Sequence, residues 1–273
     1  DTALLGALEI AEREEAARWG SPRARVAFIA MGRYGGRECS YASDADVIAV
    51  HEAVGDATPA DAAASATAIV NRAKKLLGSA TSQLGLAVDL GLRPEGKNGP
   101  MSRTVESHRE YARRWGSTWE RQAAVRARPI GDTPLARRAG QLFEEIAYGD
   151  VSPADLRDIR LLKARMENER LPRGIEPSRH VKLGPGGLTD VEWTIQLIQM
   201  RHGRITPSLR TPSTTGAIAA AAREGLVEPS DADTLLEAWD VATRIRAANV
   251  LATGRMSGVK LDVVPRDSAE LRA

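Results

Sequence analysis

Two aspartates, Asp44 and Asp46, stand two residues apart at the head of the apolar run DVIAV. Side chains alternate along an extended strand, so this spacing puts both carboxylates on one face, about 6.6 Å apart at about 3.3 Å per residue. Carboxylate oxygens are natural ligands of Mg²⁺, which keeps waters and shares the rest of its shell with substrate phosphates. A pair of ions about 3.5–4 Å apart needs a further carboxylate from a neighbouring strand. Asp89 meets that need as the only acid in the apolar run LGLAVDLGL. Ionised burial in such a strand is costly unless a cation compensates. Upstream, Gly35 and Gly36 offer backbone without Cβ that can come close to a triphosphate and aim N–H groups at it, and Ser43 adds a hydroxyl. A polar turn before a strand would also place Asp44 and Asp46 here; Asp89 is what weighs against it.

Other chemistries lack their residues. There is no GxxxxGK[ST], no GxGxxG after the first strand, no GxSxG and no HExxH. His51, His108, His180 and His202 are scattered singly, and the lone Cys39 excludes an internal disulfide framework or a cysteine zinc cage. One cysteine suits a reducing compartment, so a cytoplasmic location is expected.

The elements that must position the acids follow from periodicity. Helical spacing from Ala3 to Trp19 stops at Gly20. Strands are expected at Arg25–Met31 and Asp46–His51; the short glycine-rich link between them has no room for a crossover helix, which predicts an antiparallel pair. A helix is expected over Pro59–Gln83 and a third strand over Leu84–Leu92. Beyond Gly131 helical spacing dominates, at Leu135–Tyr148, Pro153–Glu169, Leu188–His202, Ser213–Glu224 and Ser230–Leu251. Ser152-Pro153 and Ser230 read as starts, and Gly149, Gly203 and Gly225 as stops. The fold class expected is α+β: a small mixed sheet with flanking helices over residues 1–130, then a helical bundle over 131–273.

The whole chain, 273 residues with a net charge of +2 and 4% aromatics, argues against a polyanionic partner and against a stacking platform for single strands. No nucleic acid is expected. No apolar run approaches the length of a membrane span, so no membrane is expected either. The start at Asp1, without Met, points to a piece of a longer protein.

Gly35-Gly36, six residues, then Ser43-Asp44-Ala45-Asp46 resembles the GG…SDxD signature of the polymerase β-like nucleotidyltransferase superfamily. With it, the blocks GRYGGRECSYASDADV, VDLGLRPEGKNGP, WERQAAVRAR and KLGPGGLTDVEWTIQLIQMRHG look, in order from about Val26 to His202, like the glutamine synthetase adenylyltransferase family. That resemblance implies one half of a bifunctional enzyme of nitrogen metabolism. The carboxy-terminal half of such enzymes moves AMP from ATP to a tyrosine hydroxyl of glutamine synthetase; the amino-terminal half removes it by phosphorolysis, releasing ADP. Thr189-Asp190 resembles the adenylylating half, where the other more often has Arg-Glu. Deadenylylation is the alternative, and a non-catalytic helical interaction module is a third. Transfer to RNA ends fits the aspartates alone but neither the later blocks nor the charge balance.

Carried over, Asp44 and Asp46 would hold two Mg²⁺ ions. Asp89 would ligate the ion beside the attacking oxygen, and Gly35, Gly36, Ser43 and Arg33 would hold the triphosphate. Arg93, Glu120, Arg126 and Arg128 belong to the matched blocks as substrate contacts or as ion pairs bridging domains. Lys182 near phosphate, with Asp190 and Glu192 opening the next helix, forms a secondary candidate set. Implied partners are glutamine synthetase as protein substrate and, for the full-length enzyme, a PII-type signalling protein.

Overall fold

The computed structural model describes residues 1–41, 43–78, 85–255 and 258–267. Contacts divide the chain into two units, Asp1–Arg37 with Asp44–Ala147, and Glu38–Ser43 with Tyr148–Ala273.

In the first unit, helix α1 (Thr2–Trp19) buries Leu4, Ala7, Leu8 and Ala11 and stops where Gly20 turns left-handed at φ 77°. Strand β1 (Ala24–Ala30), the single turn α2 (Gly32–Gly35) and strand β2 (Ala45–Ala53) follow. The two strands pair antiparallel as expected, from Ala24 opposite Ala53 to Ala30 opposite Val47. Helix α3 (Pro59–Leu77) starts with Thr58 accepting from Asp61 N and Pro59 in its first turn. The expected end of this helix at Gln83 lies outside the described residues. Leu4 and Leu8, Phe28, Val47, Ile69 and Val70 form one core between α1, α3 and the sheet. Each such side chain contributes about 1.5–3 kcal/mol on burial. Odd-numbered positions of β2, Ala45, Val47 and Ala49, join that core, so the period of two sends Asp46 to the opposite face.

Strand β3 is only Val88–Asp89, parallel to β2, where Leu84–Leu92 was expected. Backbone groups around it are spent elsewhere. Leu86 N donates to Leu77 O, and the chain turns away after Leu90, whose carbonyl accepts from Arg93 N; Leu84 itself is not among the described residues. Strand β4 (Ser102–Arg103) also pairs parallel with β2, further along, at Ala49 and Val50. Helices α4 (Val105–Arg114) and α5 (Thr118–Ala124), strand β5 (Arg128–Pro129) antiparallel to β1, and helix α6 (Pro134–Tyr148) complete the run. The result is a mixed five-stranded sheet in the order β3-β2-β1-β5, with β4 also on β2.

The second unit is helical. Helix α7 (Pro153–Arg170) opens on a reciprocal cap between Ser152 and Asp155. Helices α8 (Leu188–His202), α9 (Thr214–Arg223, capped by Ser213) and α10 (Pro229–Thr253) follow. Leu188, Val191, Ile195, Ile218 and Trp239 form their core. The cap of α10 is Glu228, two residues before the expected Ser230. Pro229 takes the first helical position, where its fixed φ and missing N–H cost nothing. Among the described residues, no helix is long and apolar enough to cross a membrane.

Candidate active site

Asp46 lies on β2 directly opposite Asp89 on β3. Paired residues of parallel strands point to the same face, and Asp44 shares that face one pleat earlier. One oxygen from each of Asp44, Asp46 and Asp89 lies within 4.8 Å of the others. Like charges this close repel by about 1 kcal/mol per pair in water and by more where water is excluded. A divalent cation removes that repulsion, and three carboxylates leaving room for water and phosphate oxygens fit Mg²⁺. The triad is consistent with a metal-binding site.

The burial expected of Asp89 is not found: Asp44 and Asp89 are exposed and Asp46 is half-buried. A two-residue strand at the edge leaves Asp89 open to solvent, and strand register rather than burial brings it to the pair. Its carboxylate is aimed locally, with Oδ1 accepting from Gly91 N at 2.6 Å. A Cβ on Gly91 would sit 2.9 Å from that oxygen.

The glycine turn after β1 lies against Asp46. Gly32 adopts φ 51°, and a Cβ there would stand 2.8 Å from Asp46 Oδ2. A glycine closing an apolar strand is the signal that would have marked it. Gly35 and Gly36 behave differently from expectation. Gly35 N donates to Met31 O at 2.7 Å and Gly36 N to Gly32 O at 3.3 Å, so these N–H groups close the turn on itself. What Gly35 supplies is closeness: a Cβ on it would come within 1.8 Å of Arg126 O and 2.9 Å of Ala30 O. Arg33 sits half-buried on the same turn.

Arg126 and Arg128 both support this turn within the first unit. Arg126 Nε donates to Gly32 O at 3.0 Å and Arg128 Nε to Gly35 O at 3.0 Å. Glu120 closes the reciprocal cap of α5 and accepts from the Tyr111 hydroxyl at 3.0 Å. Arg93 spends its guanidinium on the loop after β3, donating to Leu90 O at 2.9 Å and to Lys97 O and Gly99 O at 3.2 Å.

The remaining candidates belong to the second unit. Ser43 Oγ accepts from Ser40 N at 3.0 Å. Lys182 is exposed, and its carbonyl takes the Thr189 hydroxyl at 2.6 Å. Asp190 accepts from Lys163 Nζ at 2.5 Å and from Gly186 N at 2.7 Å, and Glu192 is half-buried on α8. Gly184 and Gly187 bring backbone close to the loop's own carbonyls. A Cβ on either would lie 2.0 Å from Pro177 O or 2.7 Å from Val181 O respectively.

Residues 1–142 match the family model for glutamate-ammonia ligase adenylyltransferase, and residues 160–257 match that for GlnD PII-uridylyltransferase. The chain is 45% identical over 274 residues to the bifunctional glutamine synthetase adenylyltransferase/adenylyl-removing enzyme of Streptomyces coelicolor, covering 99% of this chain and 27% of the relative. The enzyme of the same name from Streptomyces avermitilis is 46% identical over the same shares. That from Cutibacterium acnes is 43% identical over 249 residues, 90% of this chain and 24% of its own length. The chain thus spans about a quarter of the length of these relatives. With a polymerase β-like sheet carrying an acidic triad, and a family match over more than half its length, the chain belongs to the glutamate-ammonia ligase adenylyltransferase family.

Proposed function

We propose that this chain transfers AMP from ATP to a tyrosine hydroxyl of glutamine synthetase, as the adenylylating half of a longer bifunctional cytoplasmic enzyme. The observation that carries the proposal is the convergence of Asp44, Asp46 and Asp89 on one face of the sheet. The target comes from the relatives, whose names give both addition and removal of the adenylyl group on glutamine synthetase. A PII-type protein is the proposed regulator of the full-length enzyme.

In this scheme Asp44 and Asp46 would hold two Mg²⁺ ions, and Asp89 would ligate the one on the acceptor side. When bound, the ions neutralise charge on the triphosphate and lower the pKa of the incoming tyrosine hydroxyl, about 10 when free. The triphosphate runs along the Gly32–Gly36 turn, where the absence of a Cβ on Gly32 leaves room beside Asp46. Gly35 and Gly36 keep that turn tight, and Arg33 and Ser43 contribute a positive charge and a hydroxyl. Asp89 takes the proton as the tyrosine oxygen bonds to the α-phosphorus and the bond to pyrophosphate breaks in line.

The adenylylating direction is supported by Thr189-Asp190 in the matched block. Both side chains here fix the start of α8, through Lys182 O and Lys163. Deadenylylation is the alternative that the bifunctional names of the relatives equally allow: phosphate attacks the adenylyl phosphorus at the same acids, the tyrosine oxygen leaves, and ADP is released. Incubation with unmodified glutamine synthetase, α-labelled ATP and Mg²⁺ separates the two. Label on glutamine synthetase is the expected result. Phosphate-dependent release of ADP from adenylylated glutamine synthetase, without label uptake, would assign the opposite half, and failure to bind Mg-ATP at all would leave an interaction module.

A further inference from the structure

The glycine turn is held from outside, by a network in which Arg128 is the hub. Its Nε donates to Gly35 O at 3.0 Å and its Nη2 to Tyr34 O at 3.3 Å. The same guanidinium grips Asp1 with two prongs, Nη1 to Oδ2 at 2.8 Å and Nη2 to Oδ1 at 2.9 Å. The Tyr34 hydroxyl donates to Asp1 Oδ1 at 2.8 Å, and the guanidinium carbon lies 5.5 Å from the Tyr34 ring centre. Arg126, 4% exposed, ties the other end of the turn through Gly32 O. The turn is therefore fastened at both ends to residues 126–128, and its Gly32 end faces Asp46 Oδ2.

Exposed ion pairs contribute little, but a two-pronged arginine–carboxylate pair with the arginine side chain only 14% exposed is the strong form of the interaction. Lysine, a single point charge, cannot hold two carbonyls and both carboxylate oxygens at once.

Resting on the nucleotidyl-transfer assignment above, we infer that Arg128 is a positioning residue for nucleotide binding. With Asp1 and Tyr34 it sets the glycine turn at the distance from Asp46 that admits a metal-bound triphosphate. It touches neither substrate nor metal.

The test is Mg-ATP affinity by titration calorimetry on the full chain, with thermal unfolding and AMP-transfer kinetics alongside, for wild type, R128Q, R128K, D1N and the double variant D1N/R128Q. Folded R128Q is expected to bind Mg-ATP about tenfold more weakly, as loss of charge-assisted bonds implies. KM for ATP should rise while kcat stays within about threefold, the pattern of lost uniform binding. R128K should not restore affinity. D1N should weaken binding by about threefold, and the double variant should lose no more than R128Q, since both act through one network. Wild-type affinity in folded R128Q, losses that multiply in the double variant, or a fall in kcat at constant KM would each overturn the inference. Should R128Q fail to fold, D1N decides alone, and wild-type affinity in it overturns the inference. A wild-type chain that binds Mg-ATP but transfers no AMP refutes the transfer assignment and leaves the affinity comparison decisive. One that binds no Mg-ATP overturns both.

Discussion

Asp44, Asp46 and Asp89 are three carboxylates whose ligand oxygens lie within 4.8 Å of one another. Without a cation, removing one charge relieves repulsion of about 1 kcal/mol per pair. D89N is therefore expected to melt at or slightly above the wild-type temperature when metal-free. It should lose most of the stabilisation that saturating Mg²⁺ gives wild type, which is about 2.7 kcal/mol at 100 times the dissociation constant. Equal Mg²⁺ stabilisation in both, read from melting curves with and without a chelator, would remove Asp89 from the metal centre. Asp44 and Asp46 were legible in the sequence because a spacing of two is unambiguous once a strand is recognised, and Asp89 because it is the lone acid of an apolar run, although the burial that argued for it is absent. The neighbours that aim them were not legible. Gly32 and Gly91 matter through Cβ positions 2.8 Å and 2.9 Å from carboxylate oxygens, and such contacts join residues that periodicity treats as unrelated.

At the scale of elements, the glycine turn is set by backbone packing. In G35A the new methyl would fall 1.8 Å from Arg126 O, a carbonyl that cannot swing aside without pulling Arg126 from Gly32 O. Overpacking of this kind costs about 1–3 kcal/mol, and the displaced turn should weaken Mg-ATP binding as well. A chemical-denaturation midpoint and a calorimetric titration equal to wild type would show that the turn tolerates a side chain. Helices such as α1 and α3 and the β1–β2 pair follow from apolar spacing, because each buries a run of apolar side chains; α7 buries only Ile159 and is marked instead by its Ser152-Pro153 start. Elements α4 and α5 escaped because they are short and rich in charged residues: α4 is the ten-residue VESHREYARR, and α5 spans seven. Their caps, Thr104 and the Ser117–Glu120 box, were the available signals. Strands β3, β4 and β5, two residues each, are too short to show alternation and are defined only by their partners.

For the molecule as a whole, acid is expected to act through buried imidazoles. Burial among apolar side chains, with Arg103 nearby, pushes His108 down from 6.5 to about 4, and burial lowers His51 and His180 as well. A depressed histidine stays neutral in the fold while the unfolded chain takes up a proton. Stability is thus complete above about pH 6.5 and drains away as pH falls toward 4, by roughly 3 kcal/mol for His108. Urea unfolding between pH 7 and 4.5 should show this slope in wild type and a shallower one in H108F, where the ring contact with Phe143 is kept; parallel slopes would contradict it. The chain has two units and covers about a quarter of its relatives' length, so the direction of transfer is a property that activity must reveal. The most direct measurement is transfer of label from α-labelled ATP to unmodified glutamine synthetase, with Mg²⁺, by wild type and D46N side by side. Wild type is expected to label glutamine synthetase, and folded D46N to be slower by at least about a thousandfold, as loss of metal-held charge stabilisation implies. Labelling by D46N at the wild-type rate would contradict the metal-dependent nucleotidyl transfer assigned to the triad.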